Sequence, residues 1–223
     1  MTEKGPPRWL VLGGVVYVIL GVLGTVVAGD TPDFVDDPAK IAAFYKGESD
    51  SVLASQSLYL LAGFFLLWFV AGLRSGLERA DGAGSPLAAV ALIGGAAGTA
   101  LMIGGAAIGA VGGLRADEQG SIDPQTAAAL YDIGNVMFGL AAPMAWAAAV
   151  LATAMVALRS SALPSWLGWV SILMGIALLI PPINFFSIIV MGLWIIAVAI
   201  LLYIRSGGEQ AGTPVAAYRR AAA

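Results

Sequence analysis

The 223-residue sequence contains no cysteine and no histidine. The first absence excludes disulfides, thiolate nucleophiles and iron–sulfur clusters, and the second removes the commonest acid–base catalyst and metal ligand at neutral pH. Charge is also scarce, because Asp, Glu, Lys and Arg make up 11% of the residues, against about 25% in a soluble domain. We therefore expect no catalytic residues, no metal site, no cofactor and no nucleic-acid partner.

Charged residues are missing altogether from positions 160–204. That stretch is too long for one crossing of a bilayer, which takes about 20 apolar residues. With four similar segments upstream, it predicts an all-α polytopic membrane bundle surrounded by lipid. We predict a transmembrane domain over residues 9–204, with a cytoplasmic segment 1–8 before it and a flexible cytoplasmic tail 205–223 after it. Its six predicted spans are approximately 9–29, 52–73, 87–113, 133–158, 166–180 and 185–204.

The basic residues of the connecting segments predict the orientation of these spans. One side of the predicted topology holds eight Lys and Arg residues with four acidic residues, and the other holds three with ten. Cytoplasmic segments carry the excess of Lys and Arg. The eight are Lys4, Arg8, Arg74, Arg79, Arg159, Arg205, Arg219 and Arg220. Both termini are therefore predicted to lie in the cytoplasm, in an inner (plasma) membrane protein.

The first span has an alternative interpretation as a cleaved signal peptide. Lys4 and Arg8 precede it, and small residues at Val27-Ala28-Gly29 resemble a cleavage point. A signal peptide has an apolar region of about 7–15 residues, and the apolar stretch here is longer. We therefore expect the segment to remain as a transmembrane helix.

A short motif occurs twice in the predicted outer loops. Residues 37–45 and 123–131 both read D-P-x-x-x-A-A-[FL]-Y, and each is followed by a span that ends in Leu-Arg-Ser. Asp at an N-cap with Pro at the first helical position is a physical start signal for a helix. The motif predicts a short extracellular helix ending near Gly47, and it suggests that the six spans form three hairpins. Chance recurrence in an alanine-rich chain is the alternative.

Glycines recur at a spacing of four in the third span. Gly94 and Gly98 form one such pair, and Gly105, Gly109 and Gly113 continue the pattern. This spacing keeps the glycines on one helix face, where a neighbouring backbone can approach closely. The face is predicted to pack inside the bundle, and a homo-oligomer or a contact with another membrane protein is the alternative.

Polar side chains collect where three predicted spans begin on the outer side. Gln56 opens the second span, Asp132 and Asn135 open the fourth, and Asn184 opens the sixth. A bundle that brings them together would have a polar-rimmed pocket for a molecule with an apolar end. The alternative is that each side chain only caps its own helix, because Asp and Asn satisfy free N–H groups there.

Several segments together resemble a family of actinobacterial polytopic membrane proteins of unknown function. These segments are residues 41–45, 67–69, 123–135, 157–159 and 163–169. The resemblance implies a bacterial inner-membrane protein and brings no catalytic residues. The chain departs from the family pattern at residues 46–49, where the resemblance leads us to expect a loop with His or Arg.

These features favour a non-enzymatic protein. The first hypothesis is a scaffold, an accessory subunit or a binder of a small ligand or lipid. The alternative is a transporter or channel for an uncharged or lipidic molecule. A continuous polar cavity would favour transport, and a filled core would favour the first hypothesis.

Overall fold

The computed structural model describes residues 8–160 and 163–211, without the side chains of residues 8, 182–188 and 206–211. The described residues form helices and no strand, which confirms the predicted all-α class. A 3-10 turn (Arg8–Leu12) leads into α1 (Gly13–Ala28), α2 (Pro38–Gly47), α3 (Ser49–Asp81), α4 (Pro86–Gln119), α5 (Pro124–Val136), α6 (Ala142–Arg159), α7 (Ser165–Leu178) and α8 (Pro181–Ala211).

Four helical segments are long and apolar enough to cross a membrane, which suggests a membrane protein. They are Trp9–Ala28, Ser49–Asp81, Pro86–Gln119 and Pro124–Arg159. The apolar helices Ser165–Leu178 and Ile189–Arg205 are shorter. Helix α3 has 33 residues and is about 50 Å long, so it extends beyond the predicted span 52–73.

The last helix also continues past its predicted limit. Helix α8 runs to Ala211, so residues 205–211 are helical where the sequence predicts the start of a flexible tail. The charge of Arg205 marks where lipid contact should end, but backbone hydrogen bonding does not stop at a charge. The rest of the predicted tail, residues 212–223, lies outside the described part of the chain.

Side-chain caps begin three of the helices. Asp37 Oδ1 accepts the Ala39 N–H at 2.8 Å to start α2, and Asp123 Oδ2 accepts the Thr126 N–H at 2.9 Å to start α5. Both helices have Pro in the first turn, as the repeated motif predicts. Ser85 begins α4 in the same way. Each cap satisfies backbone N–H groups that have no partner inside the helix.

The bundle has two distinguishable ends. At one end, which we call the α2 end, Gly112 of α4 lies under the Tyr45 ring of α2, and Gly24 of α1 lies against Tyr59 of α3. At the opposite end, Gly76 of α3 packs against Leu202 of α8. That end carries Arg74, Arg79, Arg159 and Arg205 in or beside the ends of three helices, and we call it the arginine end.

The glycine face of α4 is covered by helices of the same chain. Gly94 and Gly98 lie against α6, Gly105 against α5, and Gly109 and Gly113 against α3. All five are buried. A Cβ atom added at Gly105 would lie 2.7 Å from the carbonyl oxygen of Gly134. Two backbones therefore meet there at a distance that only glycine allows.

A π turn over Met137–Ala141 joins α5 to α6 without ending the helix. The Ala142 N–H bonds to the carbonyl of Met137, five residues back, and the next residue, Pro143, has no N–H to donate. The carbonyl four residues before a proline loses its usual partner, so a wider turn relieves the conflict. Gly139 lies within this turn and Pro143 just after it, and both residue types favour a break in a helix.

Two buried tryptophans of the core differ in their hydrogen bonding. Trp194 Nε1 donates to Ser171 Oγ at 2.8 Å, and this hydroxyl donates to the Leu167 carbonyl at 2.7 Å. Trp146 Nε1 is buried and has no hydrogen-bond partner among the described residues. The Trp194 indole therefore links α8 to α7 by a hydrogen bond. The Trp146 indole of α6 makes no such link to a described residue.

We expect Ser171→Ala to lower the free energy of unfolding by about 1–2 kcal/mol, because it leaves the buried Trp194 N–H without an acceptor. Trp194→Phe and Trp146→Phe form a matched pair, since both remove similar ring volume. The Trp194 variant is expected to be the less stable of the two in detergent melting experiments. Equal melting temperatures for the pair would show that the hydrogen bond adds no stability.

Candidate functional site

A cavity of about 690 Å³ lies at the α2 end of the bundle. Its wall takes residues from α1, α2, α3, α4, α5, the π turn and α8, together with the loop between α1 and α2. None of the described residues that line it carries a charge. The space is therefore an uncharged compartment between helices, of the size typical of sites for small organic ligands, about 300–1,000 Å³.

The roof of the cavity is a cluster of three aromatic rings. Phe44 and Tyr45 of α2 lie 6.4 Å and 6.3 Å from the Tyr131 ring of α5, both edge to face. Ile41 and Ala127 are fully buried beside them, in a small hydrophobic cluster between α2 and α5. The repeated motif therefore packs its two copies against each other, because each copy presents its apolar face to the other.

The floor and one wall of the cavity come from glycines and a second aromatic pair. Gly105 and Gly109 of α4 face Gly134 of α5, so backbone atoms form part of the surface. Tyr59 and Phe138 stand beside them with ring centroids 5.3 Å apart. Because glycine has no side chain, these residues allow the close helix crossing and also leave part of the cavity volume empty.

Gln56 of α3 extends its side-chain amide into the cavity above Gly109. A Cβ added at Gly109 would lie 3.1 Å from Cδ and Nε2 of Gln56. The Gln56 amide makes no hydrogen bond with any residue that the structure describes. The Gln56 side chain is partly exposed, so water can reach this unpaired amide, and a ligand that displaces the water must supply hydrogen-bond partners in its place.

Asn135 offers a second acceptor at the edge of the cavity. Its Nδ2 donates to the carbonyl of Tyr131 at 2.9 Å on its own helix. The Oδ1 atom remains for another partner, since no hydrogen bond to it occurs within the described part of the chain. The Tyr59 hydroxyl is 3.1 Å from Thr25 Oγ1. Polar groups in the cavity are thus amides and hydroxyls rather than ions.

Two hydrogen bonds attach the loop between α1 and α2 to α5. The Val35 N–H donates to Asp132 Oδ1 at 3.4 Å, and the Tyr131 hydroxyl donates to the Pro32 carbonyl. Val35 has φ +61°, a left-handed conformation that is strained for a β-branched residue. The loop places the Phe34 ring in the cavity wall.

Charged residues near the cavity lie outside its lining: Asp36 in this loop, Lys40 in α2 and Asp132 in α5. A hydrogen bond and ion pair with Lys40 hold the pKa of Asp36 below its ordinary value. The same contact raises the pKa of Lys40. Burial raises the pKa of the Tyr45 hydroxyl in the roof, so this group is neutral. The surroundings of the cavity are thus ionised and its interior is neutral.

The mouth of the cavity faces the side of the bundle. Thr25, Phe34, Asn135, Val136 and Ile189 line the cavity and are also exposed. They lie near the end of α1, in the loop between α1 and α2, at the end of α5 and in the first part of α8. The roof, in contrast, is closed by buried residues of α2, with Tyr45 only 1% exposed.

The four polar residues predicted to form a pocket are placed differently. Gln56 and Asn135 line the same cavity, whereas Asp132 is outside its lining and accepts the Val35 N–H. The side chain of Asn184 lies outside the described residues. Phe138 and Gly139 at the π turn also line the cavity, although neither is among the four residues predicted to form the pocket. Gly139 and Pro143 are the sequence signals for a kink at this turn.

The chain has no match among known protein families, curated proteins or solved structures. The cavity itself therefore supplies the argument for a function.

Proposed function

We propose that the protein is a non-catalytic membrane protein that binds one small amphipathic molecule in the cavity at the α2 end. The unpaired Gln56 amide carries this proposal, because it is a polar group that faces an otherwise largely apolar space. Ligand sites commonly combine apolar and aromatic walls with a few polar groups that fix orientation. The rings of Tyr59 and Phe138 and the amides of Gln56 and Asn135 match that pattern.

Binding is favoured over transport by the packing below the cavity. Trp146, Phe69 and Leu66 are fully buried in the main hydrophobic cluster, which also includes residues of α7 and α8. The Trp146 and Phe69 rings stack with centroids 6.5 Å apart. This packing is what we expect of a binder or accessory subunit, whereas a channel needs a polar path through the same region.

We propose six transmembrane spans in three hairpins, with α7 and α8 as the third. Gly168 near the start of α7 packs on Leu158 at the arginine end. Pro181 at the start of α8 lines the cavity at the α2 end. The chain thus passes from one end to the other through α7, although α7 has 14 residues and a length of about 21 Å.

We also propose that the arginine end faces the cytoplasm and the α2 end the outside of a bacterial inner membrane. The clustering of Arg74, Arg79, Arg159 and Arg205 at one end supports this orientation, because cytoplasmic segments carry the excess of Lys and Arg. The resemblance to actinobacterial membrane proteins supports the bacterial source. In this orientation the cavity lies near the outer surface, roofed by an extracellular α2.

Filling the cavity tests the binding proposal. Gly139 lines the cavity, and a Cβ added there meets no atom within 4 Å. Gly139→Leu should therefore place a side chain in the cavity, beginning from an unobstructed Cβ position, and abolish binding. The measurement is native mass spectrometry of protein purified in mild detergent, in which the parent is expected to carry a bound small molecule that the variant lacks.

Gly21→Leu is the matched control. Gly21 is a helical glycine of α1 whose added Cβ also has nothing within 4 Å, but it does not line the cavity. It should retain the bound molecule. If neither the parent nor the control carries an adduct, or if Gly139→Leu retains it, the cavity is not a binding site.

A further inference from the structure

We infer that the cavity selects a single-chain lipid with an uncharged, hydroxyl-bearing headgroup, and that the lipid reaches it from the membrane through the side mouth. This inference rests on the proposed binding function and adds the chemical class of the ligand. Three features of the cavity carry it: its charge, its hydrogen-bonding groups and the direction of its mouth.

The charge distribution disfavours ionised headgroups of either sign. A phosphate or carboxylate requires a cationic or multiple-donor site, and no described lining residue is Lys or Arg. The nearby Lys40 is already paired with Asp36. A cationic head would lack a counter-ion among the described lining residues, which include no Asp or Glu. Asp132 of α5 lies outside the lining and accepts the Val35 N–H.

The hydrogen-bonding groups match a hydroxyl. A hydroxyl donates one hydrogen bond and accepts others, so it needs both kinds of partner. The Gln56 amide supplies donors at Nε2 and an acceptor at Oε1, and Asn135 supplies an acceptor at Oδ1. A glycerol-like head carries hydroxyls that can both donate to and accept from such amides, whereas a bare hydrocarbon chain leaves the Gln56 amide unpaired.

The side mouth fits an apolar tail. Phe34, Val136 and Ile189 at the mouth are exposed by 56%, 37% and 74%, so apolar surface continues from the cavity to the outside of the bundle. A surface of this kind at membrane depth faces lipid chains. The volume of about 690 Å³ suits one chain end with a small head rather than a whole two-chain phospholipid.

A series of three probes with one chain tests the headgroup. The purified protein is titrated in nanodiscs with 1-oleoylglycerol, with oleate at a pH where it is ionised, and with oleoylcholine. We expect 1-oleoylglycerol to bind at least about tenfold more tightly than either charged probe. A tenfold difference in Kd corresponds to the net free energy of about one hydrogen bond.

Gln56→Leu removes the amide at similar side-chain length. It should abolish the preference for 1-oleoylglycerol while leaving the melting temperature near that of the parent. Gln125→Leu is the control, because Gln125 is exposed on α5 and does not line the cavity. That variant should keep the full preference.

The outcomes separate the inference from the binding function on which it rests. If all three probes bind equally and Gly139→Leu weakens all of them, the cavity binds chains and the headgroup assignment is wrong. A preference for oleoylcholine or for oleate would also overturn it. If no probe responds to Gly139→Leu, the proposed binding function itself fails.

Discussion

Gly105→Leu is expected to destabilise the bundle more than any other single change considered above. A Cβ at Gly105 would lie 2.7 Å from Gly134 O and 3.0 Å from Phe138 N. Both obstacles are backbone atoms, so no side-chain rotation makes room and α4 must separate from α5. We expect a loss of about 3 kcal/mol or more in the free energy of unfolding, or about 6–12 °C in melting temperature.

The effect can be separated from the general consequences of adding leucine to a helix. Gly21→Leu introduces the same side chain into α1, where the added Cβ meets no atom within 4 Å. Its melting temperature in detergent should stay close to that of the parent. A Gly105→Leu variant that melts with the control would show that α4 and α5 do not cross closely at this glycine.

Single cysteines are expected to label in an all-or-none manner according to the side of the membrane. The parent has no cysteine, so there is no background reaction with a membrane-impermeant maleimide. Gln119→Cys at the end of α4 should react in intact spheroplasts, because the α2 end is proposed to face outwards. Ala83→Cys between α3 and α4 should react only after permeabilisation.

Ala83 is preferable to its neighbour for this experiment. Gly82 has φ +105°, which strains any residue with a side chain, whereas Ala83 is exposed and already carries a Cβ. Labelling of Ala83→Cys from outside together with protection of Gln119→Cys would reverse the proposed orientation. Labelling of both from outside would contradict the α3–α4 hairpin as a membrane-spanning unit.

Helix starts were predictable because their causes are local. The caps at Asp37 and Asp123 depend on a carboxylate and a proline within four residues of chain, and both are visible in the sequence. The ends of the long helices were not predictable in the same way. Hydropathy marks the apolar part of α3, but the helix continues to Asp81, since polar residues continue a helix as readily as apolar ones.

The candidate site was predictable only in part. The sequence predicts Gln56 and Asn135 as pocket residues because they are polar and lie at the start of apolar spans. Both line the cavity. Their neighbour Asp132 was predicted to join them but bonds to the Val35 N–H instead. Asp132 and Asn135 are three residues apart and share one face of α5, so they differ in level along the helix. Asp132 lies one turn nearer the loop between α1 and α2, whose Val35 N–H it accepts, and that long-range contact is not visible in the sequence.

The sequence by itself determined the helical class, the apolar character and the short helix that Asp37 caps. These depend on composition and on contacts between residues close in the chain. Only the tertiary structure decided that the two copies of the repeated motif face each other, that three neighbours share the glycines of α4, and that a cavity remains beneath the Tyr131 ring. A cavity is volume that no residue fills, and it depends on how distant helices pack rather than on any local pattern.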